Sequence, residues 1–467
     1  MKMKISLRIF LLLLCILRIQ IVSSAQSVDS RFEKTFSIAE LQKDFIVLKQ
    51  RYENNLGNLY LYTEKRILDK SFDSLYQNIH PMTSLEFYTY TTPLSSLIKD
   101  GHSNLYPGKG EVSFYNQQAR FFPFAIFWSE GKLFITRNLS EDTSIAEGSE
   151  IKEINGMRAA DVMDYLLKRQ VRDGYNENYP NWILNNYFRE YFSYHFGHPE
   201  NFKLKVSNGN TAEVEINIKA LSKKQIASNY VGRYPVPYAI MIDPVNFSFV
   251  IDSLTNVAIF KIKTWDDNKL DHQIEEAFGR MKAAKTENLI IDLRDNQGGN
   301  FQPAILLLSY LLDSNFEYFK EIKSVNKNKQ GEQRLKTESG KMLGLNQSKQ
   351  NSYKGNLYVL INGGSFSNTA SFCSKIKFYK RGVFLGSETG GNAVVFSGVF
   401  GLKSKTILPN TKIICDNSNY QLVVTNLDQN TGHGVIPEYT VHPDIHTILK
   451  GEDFVLHSAI ELIKSKR

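Results

Sequence analysis

A serine lies where a predicted buried strand meets a predicted helix. Residues 357–361 are apolar and predict the strand, residues 362–368 (N-G-G-S-F-S-N) predict a tight turn, and residues 369–379 have helical periodicity. A helix N-terminus presents free N–H groups and the positive end of its dipole, which favour negative charge. Ser367 is therefore a candidate nucleophile whose oxyanion would form beside those groups, and an ordinary helix N-cap is the alternative interpretation.

A glycine-rich turn follows another predicted buried strand. Residues 289–293 are apolar except for Asp292, and the chain then runs through R-D-N-Q to Gly298 and Gly299. Glycine lets backbone N–H groups approach a ligand, and sites in open α/β sheets gather at the carboxyl ends of strands. A plain strand-to-loop turn is the alternative. A third such turn, residues 386–392, is expected to form a wall of the same cleft.

One histidine stands out among the residues that could move a proton. Residues 99–103 read K-D-G-H-S after a predicted helix, so His102 would lie in a loop, where a structural role is the alternative. His195 and His198 lack a carboxylate partner and metal-binding spacing. The G-x-x-x-x-G-K-[ST] phosphate loop is absent from the sequence. The sequence therefore implies no metal and no other cofactor.

The predicted elements fall into three regions and indicate a multidomain α/β protein, α+β overall. Residues 37–103 place apolar side chains at helical spacing, and one stripe comprises Leu41, Phe45, Leu48 and Tyr52. Short alternating runs at 121–218 indicate strands. From residue 257, strands and helices alternate, and the mostly apolar strands favour parallel pairing.

The first 25 residues have the pattern of a secretory signal peptide. Basic residues precede the apolar run 9–17, and small residues precede a cut at Gln26. The run is shorter than the roughly 20 residues that a membrane span needs, and the leucines before Cys15 disfavour a lipoprotein anchor. We therefore expect an exported protein, periplasmic or extracellular, with no membrane span after signal removal.

The composition is that of a globular chain with several domains. The 467 residues are 42% hydrophobic and 22% charged, with a net charge of +8. Four of the cations belong to the first 25 residues and the others are dispersed, which argues against nucleic acid as a partner. Cys373 and Cys415 predict two buried thiols rather than a disulfide.

Taken in order, these segments resemble peptidase family S41, the C-terminal processing or tail-specific proteases. The I-I-D-L-R-D-N-Q-G-G run at 290–299 is similar to the family's D-L-R-x-N-x-G-G signature, and S-F-S-N at 365–368 is similar to its T-x-S-A nucleophile turn. Residues 148–156 resemble the G-D-x-I-x-x-I-N-G element of a PDZ-like module. The resemblance implies an N-terminal helical domain (26–115), a PDZ-like domain (116–225) and a catalytic α/β domain of the S41/crotonase-like type (226–467).

The resemblance also implies roles for single residues. One branch of the family uses a Ser–Lys dyad, but Asn392 stands at the matching position of the lysine. The D-G-H of residues 100–102 resembles the tricorn and retinoid-binding-protein branch, in which a histidine reaches the serine. The implied nucleophile is therefore Ser367, and the implied general base is His102.

The rest of the implied site comprises an oxyanion hole and a third catalytic member. The oxyanion would be bound by the backbone N–H groups of Gly298, Gly299 and Asn368. The third member stays open between Glu388, which we prefer, and Asp428, while Ser103 could orient the imidazole instead. Asn368 and Ala370 also replace the small residue and the glutamate that usually follow the nucleophile in the family.

The resulting hypothesis is an exported serine endopeptidase that cleaves polypeptides through an acyl-enzyme. The alternative is a non-catalytic protein on the same fold that binds a peptide or a small ligand, because the lysine of the dyad is missing.

Overall fold

The computed structural model describes residues 32–466, apart from residues 56, 58, 210, 211, 235–245, 253, 328–332, 338–342, 399–404, 417, 427 and 428. The predicted signal peptide, with Cys15, lies outside the described residues, as does Asp428. No helix in the described part of the chain is both long and apolar enough to cross a membrane.

The N-terminal region is helical, as predicted. Its elements are α1 (Ile38–Asn55), α2 (Lys65–Gln77), α3 (Ser84–Thr91), α4 (Pro93–Ile98), β1 (Asn104–Tyr106) and α5 (Lys109–Gln118). The predicted stripe of α1 is confirmed, because Leu41, Phe45, Leu48 and Tyr52 are all buried against the neighbouring helices. Thr83 closes a capping box with Glu86 at the start of α3, which explains why that helix begins there.

The middle region is an antiparallel sheet covered by two helices. It comprises β2 (Phe124–Ser129), β3 (Lys132–Asn138), β4 (Glu150–Ile154), β5 (Met157–Arg158), α6 (Ala159–Leu167), α7 (Asn178–Phe196), β6 (Asn201–Ser207), β7 (Val214–Lys219) and α8 (Lys223–Arg233). The strand order is β2-β3-β4-β6-β7, with β5 paired to β4. Helices α6 and α7 pack their apolar faces on this sheet. The helix α7 kinks at Tyr187, where φ is −128°.

The third region is a mostly parallel α/β layer, as predicted. Its main elements are β8 (Phe247–Asp252), β9 (Val257–Ile262), α9 (Leu270–Ala283), β10 (Asn288–Asp292), α10 (Phe301–Leu311), β15 (Asn356–Ile361), α11 (Asn368–Phe378), β16 (Val383–Gly386), β21 (Tyr439–Thr440), α12 (Ile445–Lys450) and α13 (Phe454–Ser465). The strand order is β21-β16-β15-β10-β9-β8, and only the β8–β9 pair is antiparallel. The carboxyl ends of β10 and β15 therefore lie side by side.

Smaller sheets connect this layer to the rest of the chain. They contain β11 (Phe316–Glu317), β12 (Glu321–Lys327), β13 (Gln333–Thr337), β14 (Leu345–Asn346), β17 (Val395–Gly398), β18 (Lys405–Ile407), β19 (Ile414–Asp416) and β20 (Tyr420–Val423). Strand β1 of the N-terminal region pairs with β19, so residues 405–416 form an arm that enters the N-terminal core. Cys373 and Cys415 are free and buried, which confirms the prediction of two thiols.

Candidate active site

Ser367 lies at the junction between β15 and α11, in a strained conformation. Its φ is +54° and its ψ is −122°, outside the regions that residues with a β-carbon usually occupy. It occupies the N-cap position of α11, but its side chain accepts no capping hydrogen bond. The alternative of an ordinary N-cap therefore does not describe this serine, and its hydroxyl is left for another partner.

That partner is His102, which comes from the loop between α4 and β1. The His102 Nε2 lies 3.0 Å from the Ser367 Oγ. The imidazole stacks on Phe366 at 4.6 Å between ring centroids and on Phe396 at 5.7 Å. Burial lowers the pKa of His102, although the charges of Asp100 and Asp416 raise it. The imidazole is therefore neutral near pH 7 and can accept a proton.

Asp173 joins the loop of His102 to the turn at 386–392. Its Oδ1 accepts a hydrogen bond from the Gly101 N–H at 2.7 Å, and its Oδ2 accepts one from the Asn392 N–H at 3.1 Å. Burial and the neighbouring Asp100 raise the pKa of Asp173 to about 7. Sequence reasoning missed Asp173, since one acidic residue in the loop between α6 and α7 carries no motif.

The three N–H groups expected to form the oxyanion hole differ in whether they already have an acceptor. The Gly298 N–H donates to the Asn296 Oδ1 at 3.0 Å, so in this structure it is engaged within its own turn. The backbone of Gly298 instead packs on the nucleophile, because a β-carbon there would lie 2.9 Å from the Ser367 Cβ. The N–H groups of Gly299 and Asn368 have no acceptor among the described residues. These two N–H groups remain as donors, one in the turn after β10 and one at the start of α11.

The Asn368 side chain has a separate structural role. Its Oδ1 accepts a hydrogen bond from the Tyr318 hydroxyl at 2.6 Å, and its Nδ2 donates to the Asn300 carbonyl at 2.8 Å. These contacts hold the first turn of α11 against α10. They account for an asparagine where a smaller residue was expected.

Glu388 does not contact His102. Its Oε1 accepts hydrogen bonds from Asn176 and from the Gly434 N–H, and it lies 3.2 Å from the Nδ1 of His433. The Nδ1 of His102 is buried and has no partner among the described residues. The preferred third member is therefore not brought to the imidazole. Ser103 is not either, because its hydroxyl donates to the Asp100 Oδ1.

Asn392, at the position expected for a lysine, is a buried structural residue. Its Nδ2 donates to the Tyr62 hydroxyl at 2.8 Å, and its Oδ1 accepts from the N–H groups of Val394 and Val395. A lysine in this place would bury an ammonium group and leave these partners unpaired. Among the described residues, no three histidine, cysteine, aspartate or glutamate side chains cluster as metal ligands.

An aromatic wall of α7 borders the nucleophile. Tyr179 stacks on Phe366 with 4.1 Å between ring centroids and 4° between planes. Trp182 donates its indole N–H to the Asp295 Oδ1 at 2.9 Å, in the turn after β10. The middle region therefore contacts both glycine-rich turns of the α/β layer.

Comparison with known protein families gives a match for most of the α/β layer. Residues 256–447 match the model of peptidase family S41. A tail-specific protease of Haemophilus influenzae is 26% identical over 140 residues, which are 30% of this chain and 18% of that protein. The chain thus spans about a fifth of the length of this relative.

Solved structures resemble nearly the whole chain. Mature CPAF in complex with lactacystin has a TM-score of 0.63 at 15% identity and covers 91% of this chain and 98% of its own. The crystal structure of mature CPAF has a TM-score of 0.61, also at 15% identity, with coverage of 88% and 94%. At this level of identity, the likeness establishes a shared fold that includes all three regions.

Proposed function

Because the chain carries a domain of peptidase family S41, we propose that it is an exported serine endopeptidase that cleaves polypeptides through an acyl-enzyme on Ser367. The observation that carries this proposal is the 3.0 Å contact between the His102 Nε2 and the Ser367 Oγ. A serine hydroxyl is a weak nucleophile until a base accepts its proton, and a neutral imidazole is suited to that task.

The proposed reaction has two halves. The Ser367 Oγ attacks the carbonyl carbon of the scissile peptide, and its proton passes to the His102 Nε2. The imidazolium then protonates the leaving amine nitrogen as the C–N bond breaks, which leaves an ester on Ser367. In the second half, His102 takes a proton from water as that water attacks the ester, and returns it to the Ser367 Oγ.

The N–H groups of Gly299 and Asn368 are the donors that we assign to the oxyanion. Asn368 opens α11, so the positive end of the helix dipole adds to its hydrogen bond. Gly299 follows Gly298, whose backbone packs against Ser367, and Asn368 follows Ser367 directly. The loss of one such donor typically slows acyl transfer by roughly 10²–10³-fold.

The structure favours this function over that of a non-catalytic binding protein. A non-catalytic role would be suggested by Asn392, which stands where one branch of the family has the lysine of its Ser–Lys dyad. The hydrogen bonds of Asn392 to Tyr62 and to its own turn give that residue a structural explanation. The positive φ of Ser367 and its contact with a neutral imidazole have no comparable use in a protein that only binds a ligand.

Degradation of reduced, carboxymethylated casein by the purified protein tests the proposal. We expect cleavage by the wild type and none above background by Ser367→Ala. Ser371→Ala is the matched control, since Ser371 lies one turn further along α11, and this variant should cleave like the wild type. Cleavage that persists in Ser367→Ala would overturn the assignment. Saturable binding of casein by a wild type that does not cleave it would support the alternative.

A further inference from the structure

The loop of His102 contains two buried polar atoms that the proposed mechanism does not yet use. The Nδ1 of His102 and the Oδ2 of Asp100 are both buried, and neither has a hydrogen-bond partner among the described residues. Buried polar atoms without partners are rare in folded proteins, so two of them within three residues of one loop call for an explanation.

The other carboxylate oxygen of Asp100 is fully engaged. The Asp100 Oδ1 accepts hydrogen bonds from the His102 N–H at 3.0 Å, the Ser103 hydroxyl at 2.9 Å and the Ser397 hydroxyl at 2.8 Å. These bonds fix the carboxylate beside the loop of His102 and against β17. The Asp100 side chain is 1% exposed, so its charge is little screened by water.

We propose that Asp100 is the positioning residue of His102: it fixes the loop of His102 through the backbone N–H of that residue, and its buried charge favours the proton on Nδ1 and stabilises the imidazolium that forms during catalysis. The inference rests on the proposed function of Ser367 and His102. It replaces Glu388, whose carboxylate is bound to Asn176 and Gly434.

The charges around His102 agree with this role. Asp100 makes the largest contribution that raises the pKa of His102, ahead of Asp416 on β19. The charge of Asp416 is partly offset by the Lys405 Nζ, which lies 3.4 Å from its Oδ2. The other titratable groups whose charges interact with Asp100 or Asp173 include Tyr52 on α1, Tyr62 after α1, Asp173 before α7 and Tyr179 on α7.

The test is the rate at which a fluorophosphonate probe labels Ser367, measured from pH 4 to pH 9 with the purified protein. The reaction needs the same base as peptide cleavage but no knowledge of the natural substrate. For Asp100→Asn, we expect labelling at pH 7.5 to fall about 10²- to 10⁴-fold. Loss of the neighbouring charge should also move the midpoint of the acid limb about 1–3 pH units lower.

Two variants serve as controls for this shift. Ser397→Ala removes one hydrogen bond to the same oxygen but keeps the charge, so its midpoint should equal that of the wild type. Asp416→Asn should shift the midpoint less than Asp100→Asn does. A merely structural role for Asp100 would lower the melting temperature in Asp100→Asn and leave the midpoint where it is, which would overturn the inference. A larger shift in Asp416→Asn would overturn it too.

The wild type provides an independent measurement should Asp100→Asn fail to fold. The ¹⁵N chemical shifts of the His102 ring at pH 8 report its tautomer, and we expect the proton on Nδ1. A proton on Nε2 would overturn the inference. Absence of Ser367 labelling in the wild type would remove the proposed function and this inference with it. Labelling with an unchanged acid limb in Asp100→Asn would remove the inference alone.

Discussion

The conformation of Ser367 shows how the local chain prepares one residue for chemistry. A positive φ in a residue with a β-carbon costs on the order of 1–3 kcal/mol. The surrounding packing maintains it, because Gly298 brings its backbone directly against the serine turn. The strain points the hydroxyl toward His102 rather than toward the first turn of α11.

The neutral state of His102 determines how activity should depend on pH. Burial lowers the pKa of His102 below its usual 6.5, so protonation, which removes the base, requires a lower pH. We expect the rate of wild-type labelling or casein cleavage to be full near pH 7 and to fall as the pH drops below 6.5. A half-maximal rate above pH 7 would contradict this assignment of the base.

At the scale of elements, the loop between α6 and α7 holds the catalytic loops together. Asp173 binds the N–H groups of Gly101 and Asn392, and the Gly174 N–H donates to the Lys99 carbonyl. The Tyr175 N–H donates to the Gly432 carbonyl. The distance from His102 to Ser367 is therefore set partly by the middle region.

Gly101 is the position where this assembly is tightest. A β-carbon there would lie 2.7 Å from the Phe366 ring and 2.9 Å from the Asp173 Oδ1. We expect Gly101→Ala to destabilise the fold by about 1–3 kcal/mol and to slow labelling of Ser367, because His102 must move. Gly279→Ala in α9 is the control, since a β-carbon there meets nothing within 4 Å. Labelling of Gly101→Ala at the wild-type rate would contradict the role of this contact.

Side chains of α7 form hydrogen bonds with backbone groups of β2, the edge strand of its sheet. The Trp128 N–H donates to the Asn185 Oδ1 at 2.7 Å, and the Arg189 Nη2 donates to the Phe124 carbonyl at 3.4 Å. A PDZ module binds a C-terminus by adding a strand at such an edge. The side chains of α7 therefore compete with a peptide for these groups.

We expect the middle region not to capture chain termini. Fluorescence anisotropy of a labelled peptide with Ser367→Ala should give the same affinity whether the C-terminus is a free carboxylate or an amide. A preference for the free carboxylate that increases in Asn185→Ala would show that the edge of β2 accepts a strand.

At the scale of the whole molecule, residues 405–416 attach the N-terminal helices to the α/β layer. Asp44 on α1 is fully buried and accepts hydrogen bonds from the backbone and side chains of Asn410 and Thr411. Leu408 and Ile413 pack in the same core as α1. Since His102 belongs to the N-terminal region and Ser367 to the α/β layer, this attachment supports their alignment.

Asp44→Ala should therefore affect the reactivity of Ser367, although Asp44 does not contact the active site. We expect a loss of about 3 kcal/mol in unfolding free energy, since four donors lose a charged acceptor, and slower labelling of Ser367. Asp69→Ala, which removes an exposed partner of Lys65, should change neither measurement by much. Wild-type labelling in a destabilised Asp44→Ala would show that the two regions align without this contact.

The sequence predicted the elements better than the contacts between them. The apolar periods of α1, β10 and β15 follow from local burial, and the turn residues before α11 mark its start. The hydrogen bond from the Gly298 N–H to Asn296 could not be predicted, because it depends on the conformation of a turn that the sequence alone does not specify. Asp173 and the 405–416 arm act through contacts between residues far apart in the chain, which no local pattern encodes.

The most direct test of the central claim is labelling of the purified protein with a fluorophosphonate probe, with the modified residue mapped by mass spectrometry. We expect a single adduct on Ser367 in the wild type, no adduct at that position in Ser367→Ala, and strongly reduced labelling in a folded His102→Ala. An unlabelled but folded wild type, or undiminished labelling in His102→Ala, would contradict it.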